Sequence, residues 1–544
     1  MPLRHEPTLR SDALRTRAPF SFALPYPSQR VPLFGEQAVA ASHPLAAQAG
    51  LSVLERGGNA VDAAVTVATT LAVVEPTMNG VGGDLFAMVW DGERLHGLNA
   101  SGRAPRAWSR ERFAHRTRMP ELGWDSVTVP GAVSGWVALW ERFGTQPFEE
   151  LLAPAERYAR EGFPVMPRLS TLWEEAAQRF AHFPEFCRVF LPGGRAPRVS
   201  EWFRNPELGD SIAAIAETRG ASFYEGAVAE RIAQAARAEG GLLDRADLES
   251  HEAAWVEPIG LDFDGARVCE LPPNGQGLAA LIALGILRSL PLAKLSPDDP
   301  DAVHLAVEAM KLAFDDCRRH VADPSRVRVA IEELLAESRL AELAAKIRLE
   351  RAAPPTPPKM RDHGTVYAAI ADRNGCMVSL IQSNYLGFGS GVVVPGTGIS
   401  LHNRGLGFSL DPASPNVVAG GARPYHTIMP GFLLRGGRAV MSFGVMGGHM
   451  QPQGHVQLVT RIVLARQNPQ AACDAPRWYV SEEGEVGLEP EFAPAVAESL
   501  AARGHRLMKN PPRLLFGGAQ VIHRLERGYC AASDPRKDGQ AVAS

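Results

Sequence analysis

About two thirds of the way along the chain, Asp362-His363-Gly364-Thr365 opens the apolar run Val366-Tyr367-Ala368-Ala369-Ile370-Ala371, and Asp372-Arg373-Asn374-Gly375 follows. The run predicts a buried strand, and the four polar residues predict a hairpin turn back into Met377 to Ser383. A proline-rich stretch, Ala352 to Lys359, precedes it. A hydroxyl residue therefore stands at the first position of a buried strand, directly after a glycine and a soft linker. A chain that cuts itself to free an N-terminal nucleophile needs this arrangement. The Thr365 Oγ attacks the Gly364 carbonyl, the ester is hydrolysed, and Thr365 gains a free α-amine. An α-amine titrates near roughly pH 8, so it can serve as base for its own hydroxyl. Gly364 leaves the backbone free to bend for that attack. Gly-Thr also opens many ordinary strands, so the dipeptide alone does not decide the matter.

The rest of the chain has globular character. Of 544 residues, 45% are hydrophobic and 21% charged, which fits a folded α/β body as well as several domains. A net charge of −4 gives no electrostatic case for nucleic acid. Six scattered cysteines contain no CxxC pair, which favours a reducing compartment. The first thirty residues lack the continuous apolar core of a signal peptide, so a cytoplasmic location is expected.

Residues 1–37 are rich in Pro and Arg and predict an extended arm. Val39 to Ser42 predicts a strand, and Pro44 to Arg56 a helix stopped by Gly57-Gly58. Asn59 is the expected N-cap of a helix from Ala60 to Val74, ended by Pro76. That helix is apolar nearly all round, but Asp62 interrupts it and a membrane span needs about 20 apolar residues, so a core helix is expected. Asn79 to Asp84 lacks the residues of a phosphate-binding loop and predicts a turn into the strand Leu85 to Trp90. Helical spacing covers Gly135 to Gly162, Asp210 to Glu217, Ala227 to Glu239, Leu278 to Leu290, Ala302 to His320 and Leu334 to Leu349. Val268 to Leu271 predicts a strand. After Thr365, strands are expected at Val440 to Phe443, Phe516 to Ile522 and Tyr529 to Ala532, with helices at Gln453 to Gln467 and Pro494 to Arg503. Pattern alone supports mixed α and β. No HExxH or Cys/His cluster occurs, and acidic partners near His449 and His455 are lacking, so no metal and no cofactor are expected. A Ser-His-Asp triad is unsupported, because GxSxG does not occur in its strand-to-helix context.

Three long blocks carry a resemblance: GGNAVDAAVTVATTLAVVEPTMNGVGGDLFAMVWDG near the start, EAMKLAFDD before the linker, and the region from Thr365 to Gly448. Through them the chain resembles the γ-glutamyltransferase family of N-terminal nucleophile hydrolases, from about Val39 to Gly539, and its divergent hydrolase-like branch most. The resemblance implies an α+β fold, a four-layer αββα sandwich. It also implies a precursor cleaved between Gly364 and Thr365 into segments 38–364 (behind the arm) and 365–544, which stay associated. A dimer of such processed pairs is left open. Small-molecule amides are the implied substrates.

The same resemblance assigns roles. Thr365 falls on the nucleophile. Ser383 falls where the family has a threonine bonded to the nucleophile, and a serine hydroxyl can do the same. Asn384 would face the other way along the strand, while Gln382 is a further polar candidate. Gly447 and Gly448 fall on the glycine pair whose N–H groups form an oxyanion hole; the loss of one such donor costs roughly 100- to 1000-fold in rate. The substrate grip departs from the family. The usual arginine is Ser101 here, with Arg103 two residues on as a candidate replacement. The aspartate that holds an α-ammonium is Gly407. Asn403 is retained, Arg404 follows it, and His426-Thr427 replace two serines. The loop before Arg423 is about a dozen residues shorter than in many transpeptidases, which favours water over an amine acceptor. The expected function is amide hydrolysis through an acyl-enzyme on γ-glutamyl or related short acid amides. Oxamate-type amidohydrolase and glutaryl-type acylase are the enzymatic alternatives. A silent small-acid binding protein is the alternative of another class.

Overall fold

The computed structural model describes residues 29–354, 364–481 and 483–544. The arm up to residue 28, Asp362, His363 and the linker from residue 355 lie outside the described residues. The end of the arm is not loose: Leu33–Gly35 forms an edge strand paired with Tyr529 to Ala531.

Two seven-stranded sheets form the centre, with every neighbouring pair antiparallel. One runs in space through Gln540–Ala543, Ala38–Ala41, Val366–Ala371, Met377–Ser383, Asp84–Trp90, Leu95–Ala100 and Ala254–Val256. The other runs through Leu33–Gly35, Tyr529–Ser533, Gly518–Arg524, Arg438–Met446, Gly431–Arg435, Ala266–Glu270 and Ile259–Phe263.

The strand after Thr365 is buried on both faces, and its side chains divide by parity. Val366, Ala368 and Ile370 join the core shared with the helix Ala60–Val74. Tyr367, Ala369 and Ala371 join the core between the sheets, with Phe86, Ile381, Phe432 and Ile522. A third core places Gly277–Arg288, Pro300–His320 and Met450–Val459 on the outer face of the second sheet. Helix, sheet, sheet, helix is the four-layer αββα sandwich.

Local chemistry explains the elements nearest Thr365. All residues of the helix Ala60–Val74 are buried, and Asn59 and Asp62 form a reciprocal cap at its start. The buried Asp62 carboxylate also accepts from Thr145 N and Gln146 N, so its burial is compensated. Asp372, in the expected hairpin turn, accepts from Ala60 N at 2.9 Å and docks that helix onto the strand.

Several expectations need correction. The helical stretch 135–162 is two helices, Ala132–Phe143 and Phe148–Glu161, separated at Gly144 and Pro147. Of the charged stretch Leu334 to Leu349, Glu337–Ala344 is helical, with the separate short helix Ile331–Leu334 before it. The helix expected from Gln453 starts at Met450 and widens to a π turn over Thr460–Leu464. The strand expected from Phe516 begins at Gly518.

Candidate active site

Strand parity puts Thr365 on the same side as Tyr367, facing the gap between the sheets. Thr365 is buried. Its neighbour on the next strand is Ser383, one step beyond the Val366–Gln382 pair. Thr365 Oγ1 and Ser383 Oγ both reach the Gly364 carbonyl oxygen, at 2.6 and 2.7 Å, and lie 3.4 Å from each other. Gly364 has φ +102°, and a β-carbon there would lie 2.5 Å from the Tyr385 carbonyl oxygen. Only glycine fits this bend.

The strand Arg438–Met446 delivers Gly447 and Gly448 to the same end of the sandwich, at φ +110° and +51°. Among the described residues, neither backbone N–H has an acceptor. The Gln276 side chain clamps this turn by donating to Gly448 O (2.9 Å) and to Thr427 O (2.5 Å). Gln451, on the first turn of the helix that follows, points its amide nitrogen at Thr365 Oγ1, 3.5 Å away.

The comparisons with known proteins agree over nearly the full length. The gamma-glutamyltranspeptidase family model matches residues 46–544. The chain belongs to the gamma-glutamyltranspeptidase family. It is 35% identical to the glutathione hydrolase-like YwrD proenzyme of Bacillus subtilis, covering 93% of this chain and 98% of that one. It is 36% identical to the oxamate amidohydrolase proenzyme of Klebsiella pneumoniae, covering 92% and 97%. The solved cephalosporin acylase of Bacillus halodurans superposes with a TM-score of 0.93 at 44% identity, covering 97% of this chain and 99% of that one. The chain is an enzyme of this hydrolase and acylase family.

Against the transpeptidase pattern, the residues expected to grip substrate separate into two groups. Arg404 is central and fully buried. Its guanidinium donates to Thr427 Oγ1 (2.8 Å) and Ser383 Oγ (3.2 Å) and lies 4.1 Å from the Tyr385 ring centre. Its Nε has no partner among the described residues. Burial lowers its pKa to about 10, offset in part by Asp84 and Tyr385. His426 joins through Asp84: His426 Nε2 lies 3.0 Å from Asp84 Oδ2, and His426 Nδ1 accepts from Ile428 N. The ring is thus neutral with its proton on Nε2. Burial first, then the charge of Arg404, pushes its pKa down to about 3. Burial alone would raise the Asp84 pKa, but positive charge and hydrogen bonding outweigh it and hold the carboxyl well below its usual range. Because His402 and His426 both stay neutral, the partners that matter are the His426 N–H, Arg404 and the N–H groups of Gly131 and Gly102.

Arg103 and Asn403 face elsewhere. Arg103 is half-exposed and pairs with Asp323 at 3.1 Å. Asn403 accepts from Leu386 N and donates to Glu121 O, bracing a turn. Asn384 faces away from Thr365, towards Ser400, as the strand period required. Gln382 also points away, bonded to Asn79 and Trp136. At Gly407 a β-carbon would lie 2.4 Å from Tyr425 O, so the backbone leaves no room for an aspartate side chain.

The histidine expectation needs one correction. His455 does have an acidic partner, Glu270, at 2.7 Å; it comes from a distant strand and sequence proximity could not show it. A second set, His304, Glu308 and His505, places three ligand-type atoms within 4.8 Å of one another. There the His304 and His505 nitrogens bond each other at 2.8 Å and the Lys311 ammonium pairs with Glu308. Asp84, Gln276 and Gln451 were missed in sequence. Asp84 had a weak signal, an acid closing a glycine-rich turn; the two glutamines had none.

Proposed function

We propose that the chain is a self-processing amide hydrolase that uses Thr365 as nucleophile and prefers acyl groups bearing a carboxylate but no α-amino group. The observation that carries this reading is Arg404: a buried guanidinium one hydroxyl away from Thr365, bonded only to neutral groups. A buried guanidinium with no carboxylate bonded to it, and only Asp84 nearby beyond His426, is costly, and a guanidinium suits a carboxylate through paired hydrogen bonds. An incoming ammonium finds no carboxylate at Gly407. Asp84 is already taken up by His426 and two backbone N–H groups, and Arg404 repels a second cation.

Self-cleavage has its parts nearby. Ser383 polarises the Gly364 carbonyl, Thr365 Oγ attacks it, and the freed amine becomes the base for substrate turnover. The Gly447 and Gly448 N–H groups, free of other acceptors, support an oxyanion role. The similarity to an oxamate amidohydrolase, named for an amide that bears a carboxylate, supports an acid-bearing acyl group, while the similarity to a glutathione hydrolase-like proenzyme keeps γ-glutamyl amides as the competing substrate. The short loop before Arg423 supports hydrolysis over transfer to an amine. Six unpaired thiols support a reducing compartment, and no described helix is long and apolar enough to cross a membrane.

Intact-mass analysis tests the central step. Scaling 58.6 kDa by 364/544 and 180/544 gives fragments of about 39 and 19 kDa, and Thr365→Ala stays whole. A wild-type chain that remains whole yet hydrolyses glutaryl anilide defeats the proposal.

A further inference from the structure

Gln451 is buried between the Gly447-Gly448 turn and Thr365. The direction of its amide is fixed: its Oε1 accepts from Met429 N at 3.0 Å, and a backbone N–H can only donate, so the Nε2 end must face Thr365 Oγ1. The separation there is 3.5 Å, and catalytic hydrogen bonds of this kind commonly shorten when substrate binds. Ser383 Oγ is committed elsewhere in the uncleaved chain, donating to Gly364 O and accepting from Tyr385 N and Arg404. Gln451 therefore supplies a donor aimed at the nucleophile oxygen that does not depend on the scissile carbonyl.

We infer that Gln451 is a catalytic residue whose side-chain N–H stabilises the charge on Thr365 Oγ1 as that oxygen attacks and again as it leaves. The inference rests on the nucleophile reading above. In acylation the Thr365 Oγ proton passes to the Thr365 α-amine, the Oγ–carbon bond forms, and the amide C–N bond breaks as that proton moves to the departing nitrogen. In hydrolysis a water oxygen bonds to the acyl carbon and gives its proton to the α-amine. The carbon–Oγ bond then breaks and the proton returns to Oγ. In both steps Oγ carries developing negative charge while Gln451 donates without losing its proton.

Two variants test this, with rates referred to the processed fraction by intact mass and folding checked by thermal melting. Gln451→Met removes the donor. It should lower kcat on glutaryl anilide by about 100-fold, the scale for losing one donor to a developing oxyanion, change KM less than threefold, and slow self-cleavage. Gln451→Glu keeps an acceptor for Met429 N but presents a carboxyl to Oγ, which can donate only when protonated. The charged or titratable groups of the neighbouring elements are Arg404, which bonds Ser383, the Thr365 amine of the processed chain, Asp84 beyond His426, and the His455–Glu270 pair one helical turn on. Its rate relative to wild type at each pH should fall as pH rises through the titration of the introduced carboxyl. Full kcat in the Met variant, or a Glu-to-wild-type ratio that stays flat with pH, overturns the role. If Thr365→Ala retains activity, the nucleophile reading itself falls; if Thr365→Ala is inert while the Gln451 variants keep full activity, only the Gln451 role falls.

Discussion

Replacing Arg404 with methionine separates two roles that its geometry combines. The guanidinium touches Ser383 Oγ and Thr427 Oγ1 and is fully buried. If it receives the substrate carboxylate, Arg404→Met removes a buried, charge-assisted contact. Hydrogen bonds to charged groups contribute about 1.5–3 kcal/mol, and unpairing one side of a buried charge pair costs about 2–5 kcal/mol. A loss near 3 kcal/mol is about 150-fold in kcat/KM, at about 1.4 kcal/mol per tenfold. The assay compares three p-nitroanilides: glutaryl, γ-glutamyl and butyryl. Butyryl has the same four-carbon reach towards the pocket without the acid, so it reports only what Arg404 does through Ser383. Wild type should favour glutaryl over γ-glutamyl by tenfold or more. The variant should lose about 150-fold on glutaryl and less than about fivefold on butyryl, because no charge pair is broken there. An equal fall on glutaryl and butyryl would mean that Arg404 acts only by holding Ser383, and the carboxylate assignment would be wrong. A wild-type preference for γ-glutamyl would show that another group holds the ammonium.

Two further outcomes follow from the same geometry. Added glycylglycine should raise turnover of glutaryl anilide less than twofold with no dipeptide adduct in the products, because the proposed hydrolysis has water reach the acyl-enzyme past the short loop before Arg423; a dominant transfer product by mass spectrometry would contradict this. The melting temperature should fall as pH drops from about 6.5: burial holds His43 and His426 down to about 3 in the folded protein, whereas in the unfolded chain they titrate near roughly 6.5. The unfolded state therefore binds more protons between those values, and the stability present above pH 6.5 is lost on acidification; a melting temperature unchanged between pH 7 and 5 would refute the burial of these rings.

The strand after Thr365, its hairpin and the capped helix Ala60–Val74 were legible because each is set by neighbouring residues. Asn59 with Asp62 caps that helix, and Asp372 closes the hairpin. Helix breaks were less legible. Gly144 and Pro147 cap two separate helices, Ala132–Phe143 and Phe148–Glu161, inside a stretch whose helical spacing runs on without a break. Strands such as Ile259–Phe263 and Gly431–Arg435 carry weak local patterns and exist because the second sheet pairs them.

The sequence by itself determined the nucleophile candidate, the glycine bend before it, the glycine pair and, through long ordered blocks, the family. Each of those features is contiguous; Ser383 was named through the resemblance, and the hairpin register sets it opposite Thr365. Only the tertiary structure decided the character of the pocket. Asp84 meets His426 across 342 residues, Gln276 reaches Gly448 across 172, and Gln451 reaches Thr365 across 86. It also turned Arg103 away towards Asp323 and buried Arg404. The physical reason is that charge and hydrogen-bond pairing depend on distance in space and on loss of water, and a linear sequence records neither for residues so far apart along the chain.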